Sequence, residues 1–352
     1  MPADSEPLHD IADRVLRKTL QHPENLRAFL MEVLKDLAKG FDCSRARPVP
    51  RDFLLEDWRG READMLFEIP FRTEGEEQWA LICLLIEHQS AADPRMPLRM
   101  LIYAVLYWER EWRKWETMEA PRPPFRLTPI VPIVLHTSSQ AWGSARTLAD
   151  LVGGPPQFGV FAPRWEPLFW ELANHSSQEL LDSRDAFFQA LSVVRAEDAP
   201  AEEFEPIFLG AMQRLGRLHD TDRVLWTEML SAVLTWACSR RPRNEKQHWT
   251  TLAEAAQEND QRKREVANMG QTIAQAFMDE GEIKGEIKGE IKTLRRLVLR
   301  QGQARFGIPD ETTERFIQGI ENTDQLEALT DRVLIASSWS DLLKLPEHQS
   351  GQ

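Results

Sequence analysis

Residues 64–71 read DMLFEIPF, and residues 79–90 read WALICLLIEHQS. Both stretches are short and rich in apolar residues, and the polar turn from Thr73 to Gln78 separates them, which is the pattern of two neighbouring antiparallel strands. The first stretch begins at Asp64, and the apolar run of the second ends at Glu87. Antiparallel pairing through the turn therefore predicts that these two acids lie at the same end of a sheet.

The segments around this pair predict the rest of an α/β core. Apolar residues recur at helical spacing from Asp10 to Lys39, and a further strand is expected at Phe53 to Glu56. After the pair, an amphipathic helix is expected from Leu98 to Trp115, followed by a buried strand at Ile130 to Leu135. Pro132 favours an edge or bulged position for that last strand. The order helix, three strands, helix, strand predicts a mixed sheet flanked by helices.

From about Asp150 to Gln271 the chain is predicted to be mainly helical. Candidate helices lie at Ser177 to Val194, Glu205 to Leu218 and Asp222 to Ser239. Residues 281–292 read GEIKGEIKGEIK, and each glycine costs a helix about 1 kcal/mol relative to alanine. We therefore expect a flexible or weakly helical connector there. A compact helical unit is expected after it, with Asp310 and Thr323 as helix caps.

Composition and charge limit the classes of protein to consider. The chain has 352 residues, 42% of them hydrophobic, which is enough for a sizeable core. Its net charge of −13 counts against a protein that coats nucleic acid indiscriminately, because Lys and Arg supply most non-specific affinity for phosphate. Basic residues are nevertheless concentrated between Arg95 and Arg126.

Cysteine usage and hydropathy predict the compartment. The chain has three widely spaced cysteines, which indicates neither a disulfide framework nor a zinc site: Cys43, Cys83 and Cys238. The amino terminus is acidic and polar, unlike a signal peptide. The most apolar run, Trp79 to Ile86, is far shorter than the roughly 20 residues of a membrane-spanning helix. We expect a soluble, cytoplasmic protein without a membrane partner.

The residues with candidate chemistry are Asp64, Glu87 and Gln89. Side chains at i and i+2 of a strand share a face, so Glu87 and Gln89 are expected to point the same way and to converge with Asp64. Carboxylate oxygens suit a hard divalent ion such as Mg²⁺, and the backbone carbonyl of His88 could supply a further ligand. The nearby acid Glu68 is read as a surface carboxylate.

The linear order of several segments also carries a family resemblance. The helices containing HDIADRVLRKTLQHPENLRAFL come first, followed by DMLFEIPF, WALICLLIEHQS, ADPRMPLRMLIYAVLYWERE and PIVPIVLHT. In that order they resemble the Rpn/YhgA-like family (recombination-promoting nuclease, putative transposase) of the PD-(D/E)xK nuclease superfamily. The resemblance covers about Leu8 to Pro200, and Leu294 to Leu345 resembles a small helical domain found at the end of such proteins.

The resemblance implies an α/β fold with a PD-(D/E)xK nuclease-like core, a mixed sheet flanked by helices, followed by a mainly helical C-terminal half. The implied organisation has four parts. They are a nuclease-like domain at 1–200, a helical extension at 201–280, a GEIK repeat connector at 281–292 and a small helical C-terminal domain at 293–345.

The resemblance further implies a magnesium-dependent DNA endonuclease associated with recombination or mobile elements, which hydrolyses phosphodiester bonds. Asp64 matches the family's aspartate and Glu87 its glutamate, so both are expected to bind Mg²⁺ or another divalent cation together with the His88 carbonyl. Gln89 stands where many members carry lysine, so it can orient water but supplies no charge. Arg99 or another arginine of the same helix is a candidate contact for a DNA phosphate.

Two other readings stay open. A non-catalytic interaction module that keeps the nuclease fold is favoured by the overall acidity and by Gln89 in place of lysine. A sequence-specific transposase with joining activity would need a further carboxylate at the same end of the sheet, and the sequence shows none convincingly. A homo-oligomer formed through the helical C-terminal regions is also compatible with the sequence.

Overall fold

The computed structural model describes residues 10–50, 64–73, 76–87 and 93–343. These residues form two compact units, and the boundary between them falls between Ile273 and Ala274. The strand expected at Phe53 to Glu56 lies outside the described residues. The four-part organisation expected from the resemblance stays a prediction.

The larger unit contains a sheet and most of the helices. Its first elements are α1 (Asp10–Leu20), α2 (Pro23–Leu34), β1 (Arg47–Pro48), β2 (Asp64–Thr73), β3 (Glu76–Glu87), α3 (Met96–Glu116), β4 (Ile130–His136) and β5 (Leu168–Glu171). They are followed by α4 (Ser177–Leu181), α5 (Ala186–Arg195), α6 (Ala201–Gly216), α7 (Arg223–Arg240), α8 (Lys246–Ala255) and α9 (Asp260–Phe306). The mixed α/β fold with a helical C-terminal half is therefore confirmed.

The described strands form one mixed sheet in the order β1-β2-β3-β4-β5. The pairs β1–β2 and β2–β3 are antiparallel, and the pairs β3–β4 and β4–β5 are parallel. An edge or bulged position was expected from Pro132, but β4 as a whole is not an edge strand, because it lies between β3 and β5. Pairing between β4 and β5 begins only at Ile133, so Pro132 precedes that ladder and is tolerated.

The two faces of the sheet pack against different helices. Met65, Ile82 and Leu135 lie on the face that shares a core with residues of α1, α2 and α5. Leu66, Cys83 and Val134, each next to one of these in sequence, lie on the opposite face and pack with α3 through Met96, Met100, Tyr103 and Tyr107. We call this second side the α3 face. The alternation of side chains along each strand produces this division.

The helices after the sheet have a core of their own, with large aromatic side chains at its centre. Phe204, Phe208, Trp226 and Trp249 are fully buried there. The three helices expected between Ser177 and Ser239 are present with shifted ends, and the first is divided into α4 and α5. All three cysteine side chains are buried, and none of them forms a disulfide.

The smaller unit consists of the end of α9 together with α10 (Glu311–Gly319), α11 (Thr323–Arg332) and α12 (Trp339–Leu342). Its core includes Val298, Ile317 and Leu326, each with 0% exposure. Asp310 caps α10 as expected, because its Oδ1 accepts a hydrogen bond from the Thr313 N–H at 2.7 Å. The expected cap at Thr323 is wrong by one residue, since Asn322 Oδ1 accepts from the Gln325 N–H at 2.8 Å.

The GEIK repeat does not interrupt the helical backbone. Residues 281–292 lie inside α9, a helix of 47 residues. A helix this long can include three glycines because the segments on both sides continue the hydrogen-bonded spiral, so no new nucleation is required. No helix in the described ranges is both long and apolar enough to span a membrane.

Candidate functional site

The structure places positions 64 and 87 at one end of one sheet face. β2 begins at Asp64, and β3 ends at Glu87. Asp64 is opposite Leu85 in the antiparallel register, so Glu87 lies two residues beyond that partner. Opposed positions share a face and the side-chain period is two, so positions 64 and 87 share a face as diagonal neighbours about 7–8 Å apart.

This shared face is the α3 face. Leu66 is two residues from Asp64, and Cys83 is four residues from Glu87, and both pack against α3. His88 and Gln89 lie outside the described residues, so the ligand role of the His88 carbonyl and the water-positioning role of Gln89 stay predictions.

A row of polar residues continues across the sheet from Glu87. The parallel register pairs Glu87 with His136 of β4, and it pairs His136 with Glu171 of β5. These three positions therefore share the α3 face, with about 4.8 Å between neighbouring strands, and we call them the polar row. His136 has 1% exposure and Glu171 has 5%. Both are buried polar residues at the end of an apolar strand, where a charge or polar group needs a partner.

The sequence interpretation gave no role to His136 or Glu171. His136 lies in the segment PIVPIVLHT, and Glu171 lies in a region that the sequence predicts to be mostly helical. The signal that singled out Glu87, a polar residue that ends an apolar run, is also present at His136. Glu171 follows the short stretch LFW and has no comparable local signal.

Glu171 holds the segment that follows β4. Its Oε2 accepts a hydrogen bond from the Trp142 N–H at 2.7 Å, and its Oε1 forms an ion pair with the Arg146 guanidinium. Burial raises the pKa of Glu171, but these hydrogen bonds and the positive charge of Arg146 outweigh it and hold the pKa below its ordinary value. Glu171 is therefore ionised at neutral pH and fixes Arg146 in place.

His136 is covered by the same segment. Its ring meets the Trp142 ring edge-on, with 5.2 Å between centroids. Trp142 also contacts Phe169 of β5, with 5.1 Å between ring centroids. These contacts enclose His136 in the middle of the polar row. Arg146, the ion-pair partner of Glu171, is half-exposed, with 45% of its side chain accessible.

Arg99, a residue of α3, is buried. Its Nε donates a hydrogen bond to the Tyr103 hydroxyl at 3.3 Å, and its Nη1 lies 4.0 Å from Asp93 Oδ2. Partial burial raises the pKa of Asp93, but hydrogen bonds from Arg95 and the charges of Arg95 and Arg99 outweigh it, so the pKa is lowered. Only 4% of the Arg99 side chain is exposed. A direct contact with a DNA phosphate would require this pocket to open.

The position of Arg99 along the sheet follows from a second contact of α3. The Tyr107 hydroxyl donates a hydrogen bond to Glu68 Oε1 at 2.8 Å, which fixes the helix over β2. Arg99 precedes Tyr107 by eight residues, about 12 Å along a helix, and Asp64 precedes Glu68 by four, about 13 Å along a strand. Arg99 lies in the first turn of α3, which follows the end of β3, and position 64 pairs near that same end of β3.

The roles of Asp64 and Glu87 as ligands of a divalent cation stay predictions. Two carboxylate residues at diagonal positions of one face can reach a shared ion that prefers oxygen ligands. Among the side chains that the structure describes, no group of three or more His, Cys, Asp or Glu residues is arranged to hold a metal ion. The side chains of Asp64 and Glu87 are not among them.

Comparison with known proteins identifies the family. Residues 10–200 match the family described as "Putative transposase, YhgA-like". No curated protein and no solved structure matches the chain. The matched range contains β1 to β5, α3 and the whole polar row, and it is more than half of the chain. The protein therefore belongs to the YhgA-like transposase family.

Proposed function

We propose that this protein is a metal-dependent DNA endonuclease associated with recombination or mobile elements, and that it hydrolyses phosphodiester bonds. The observation that supports the proposal is the register that puts positions 64 and 87 on one face at one end of the sheet. Membership of a transposase family fits a protein that acts on DNA.

In this proposal Asp64 and Glu87 bind Mg²⁺ or another divalent cation, with the His88 carbonyl as a further oxygen ligand. A bound divalent ion supplies a Lewis acid for the phosphoryl oxygen and acidifies a water ligand. Gln89 orients the attacking water through its neutral amide, which can both donate and accept hydrogen bonds. Arg99 contributes positive charge from beneath the site, and it reaches a phosphate only if its pocket opens.

The contacts of the polar row help to distinguish hydrolysis from strand joining. Joining activity would need a third carboxylate at the same end of the sheet, and Glu171 lies in that row. Its two oxygens are already used by the Trp142 N–H and by Arg146. This arrangement favours Glu171 as a residue that positions the neighbouring segment, and it favours hydrolysis over joining.

Plasmid cleavage tests the proposal. Purified full-length protein is incubated with supercoiled plasmid and magnesium, and the wild type is compared with Asp64→Ala and Glu87→Ala. We expect the wild type to nick or linearise the plasmid and each variant to lose most of that activity, because each loses a ligand of the ion. Glu166→Ala removes an exposed acid from the same domain and is expected to cleave normally.

Two results would contradict the proposal. Cleavage that persists in both acid variants would reject Asp64 and Glu87 as the ligands. Absence of cleavage by the wild type with magnesium, manganese or cobalt would favour a non-catalytic interaction module, the alternative that the net charge of −13 supports.

A further inference from the structure

Arg146 is held in place from several sides. Its Nη2 forms an ion pair with Glu171, and its guanidinium lies over the Phe169 ring, with 4.8 Å to the centroid. Phe169 and Glu171 are two residues apart on β5 and share the α3 face. The N–H groups of Arg146 and Thr147 both donate to Asp150 Oδ2, at 3.0 and 2.8 Å. Backbone and side chain are thus both fixed before any ligand arrives.

The exposure of this ion pair is unequal. Glu171 has 5% of its side chain accessible, whereas Arg146 has 45%. A guanidinium has five N–H donors in a planar fork, and within the described part of the chain only Nη2 of Arg146 has a hydrogen-bond acceptor. The remaining donors are available to a ligand on the solvent side. An arginine fixed by a buried acid is well suited to bind phosphate oxygens.

The pair lies close to the proposed metal site. Glu171 is separated from Glu87 by one intervening strand position, His136, so the two backbones are about 10 Å apart. DNA rises about 3.4 Å per nucleotide along one strand. A phosphate two or three nucleotides from a bond held near Glu87 would therefore lie near the end of β5, where Arg146 is fixed.

Binding of a DNA phosphate at this end of the sheet requires an exposed positive charge. The net charge of the chain is −13, and Gln89 contributes none. Arg99 is buried, with 4% of its side chain accessible. We infer that Arg146 is a DNA-binding residue that contacts a backbone phosphate two or three nucleotides from the cleaved bond, and that Glu171 and Phe169 position it. This inference rests on the proposed function.

The test measures how DNA binding depends on salt. Full-length protein is titrated into a fluorescently labelled DNA duplex with calcium in place of magnesium, at several salt concentrations. Each phosphate contact adds about 0.9 to the slope of log K against log salt concentration. We expect Arg146→Gln to weaken binding several-fold and to reduce the slope by about that amount. Arg164→Gln removes an exposed arginine of the same β4–β5 connection, 87% accessible, and should leave the slope unchanged.

Loss of the guanidinium leaves the buried Glu171 without its cation, which could disturb folding. The double variant Arg146→Gln with Glu171→Gln removes both charges, and its melting temperature shows whether the fold is kept. We expect the double variant to have the same reduced slope as Arg146→Gln. A purely structural role for Arg146 would instead lower the melting temperature and leave the slope unchanged.

The outcomes separate this inference from the proposed function. Wild-type cleavage of plasmid together with an unchanged slope in folded Arg146→Gln would overturn the inference and leave the endonuclease proposal standing. A wild type that binds DNA without cleaving it, with a reduced slope in Arg146→Gln, would support the phosphate contact and reject the enzyme. A wild type that neither binds nor cleaves DNA would overturn both.

Discussion

Tyr107 and Glu68 form one of the polar contacts that fix α3 on the sheet. The Tyr107 hydroxyl donates to Glu68 Oε1 at 2.8 Å, and burial together with this bond raises the pKa of Tyr107. Tyr107→Phe leaves the half-buried carboxylate without this donor. We expect the free energy of unfolding of the larger unit to fall by about 1–2 kcal/mol in urea titrations.

A double-mutant cycle is the control for that prediction. In a Glu68→Gln background the charged acceptor is absent, so Tyr107→Phe should lower the free energy of unfolding by less than it does in the wild type. Equal costs in the two backgrounds would show that the hydroxyl does not stabilise the fold through Glu68.

Glu197 is a partly buried acid whose ionisation works against folding. Its Oε2 accepts from Trp236 Nε1 at 3.0 Å and lies 3.3 Å from Arg240 Nε. Burial raises the pKa of Glu197, and the nearby Arg240 does not fully offset it. With a raised pKa, the stability contributed by the group is complete below the unfolded value of about 4.3 and is lost as pH rises through the folded value.

Glu197→Gln therefore gives a pH prediction with a definite sign. The variant cannot ionise at this position, so the stability of the wild type minus that of the variant should decrease between about pH 4 and pH 7. Urea titrations at each pH measure this difference. An increase over the same range would mean that Arg240 dominates and that the pKa is lowered.

At the residue scale, the sequence singled out Glu87, one of the three positions of the polar row, together with Asp64 on the neighbouring strand. Asp64 and Glu87 could be predicted because a single turn joins their strands and local alternation fixes their faces. His136 and Glu171 could not be assigned, because their place beside Glu87 depends on parallel pairing between segments far apart in the chain. Arg99 was predicted as a phosphate contact from charge alone, and charge does not reveal burial.

The same principle applies to whole elements. The helices and the strands β2 to β4 follow from hydrophobic periodicity, whereas β5 has only four residues and shows no clear alternation. The GEIK repeat was predicted as a connector because its glycines disfavour a helix. The structure makes it part of α9, so continuation of a long helix outweighs a local cost of about 1 kcal/mol per glycine.

Replacement of glycine by alanine should have opposite effects on stability at two positions of α9. A Cβ at Gly285 would have no heavy atom within 4 Å, whereas a Cβ at Gly302 would fall on the Trp339 ring. Gly285→Ala should therefore stabilise the helix by up to about 1 kcal/mol. Gly302→Ala should destabilise the smaller unit by about 1–3 kcal/mol, because Trp339 must move. Circular dichroism during urea unfolding measures both changes.

Gly285→Ala and Gly302→Ala serve as controls for each other, since both replace glycine by alanine in the same helix. Stabilisation by both would mean that Trp339 does not pack against Gly302. Destabilisation by Gly285→Ala would mean that the repeat is not helical in solution, or that something else covers it.

At the scale of the whole molecule, the described chain contains separate cores. Leu326, in the smaller unit, and Leu230, in the larger one, both have 0% exposure, and they belong to different clusters. The boundary after Ile273 lies inside α9, a helix of 47 residues, so no break in secondary structure marks it. A boundary inside a helix is defined by long-range contacts, which local patterns do not contain.

Separate cores predict separate unfolding. Leu326→Ala should destabilise the unit that begins at Ala274 by about 2–5 kcal/mol, because it leaves a cavity, while the unit that ends at Ile273 keeps its stability. Leu230→Ala should do the reverse. Hydrogen exchange followed by mass spectrometry reads both units at once, since peptides around Trp226 report on one core and peptides around Ile317 on the other. If either substitution lowered protection equally in both sets of peptides, the two cores would unfold as one cooperative structure, and α9 would be the element that couples them.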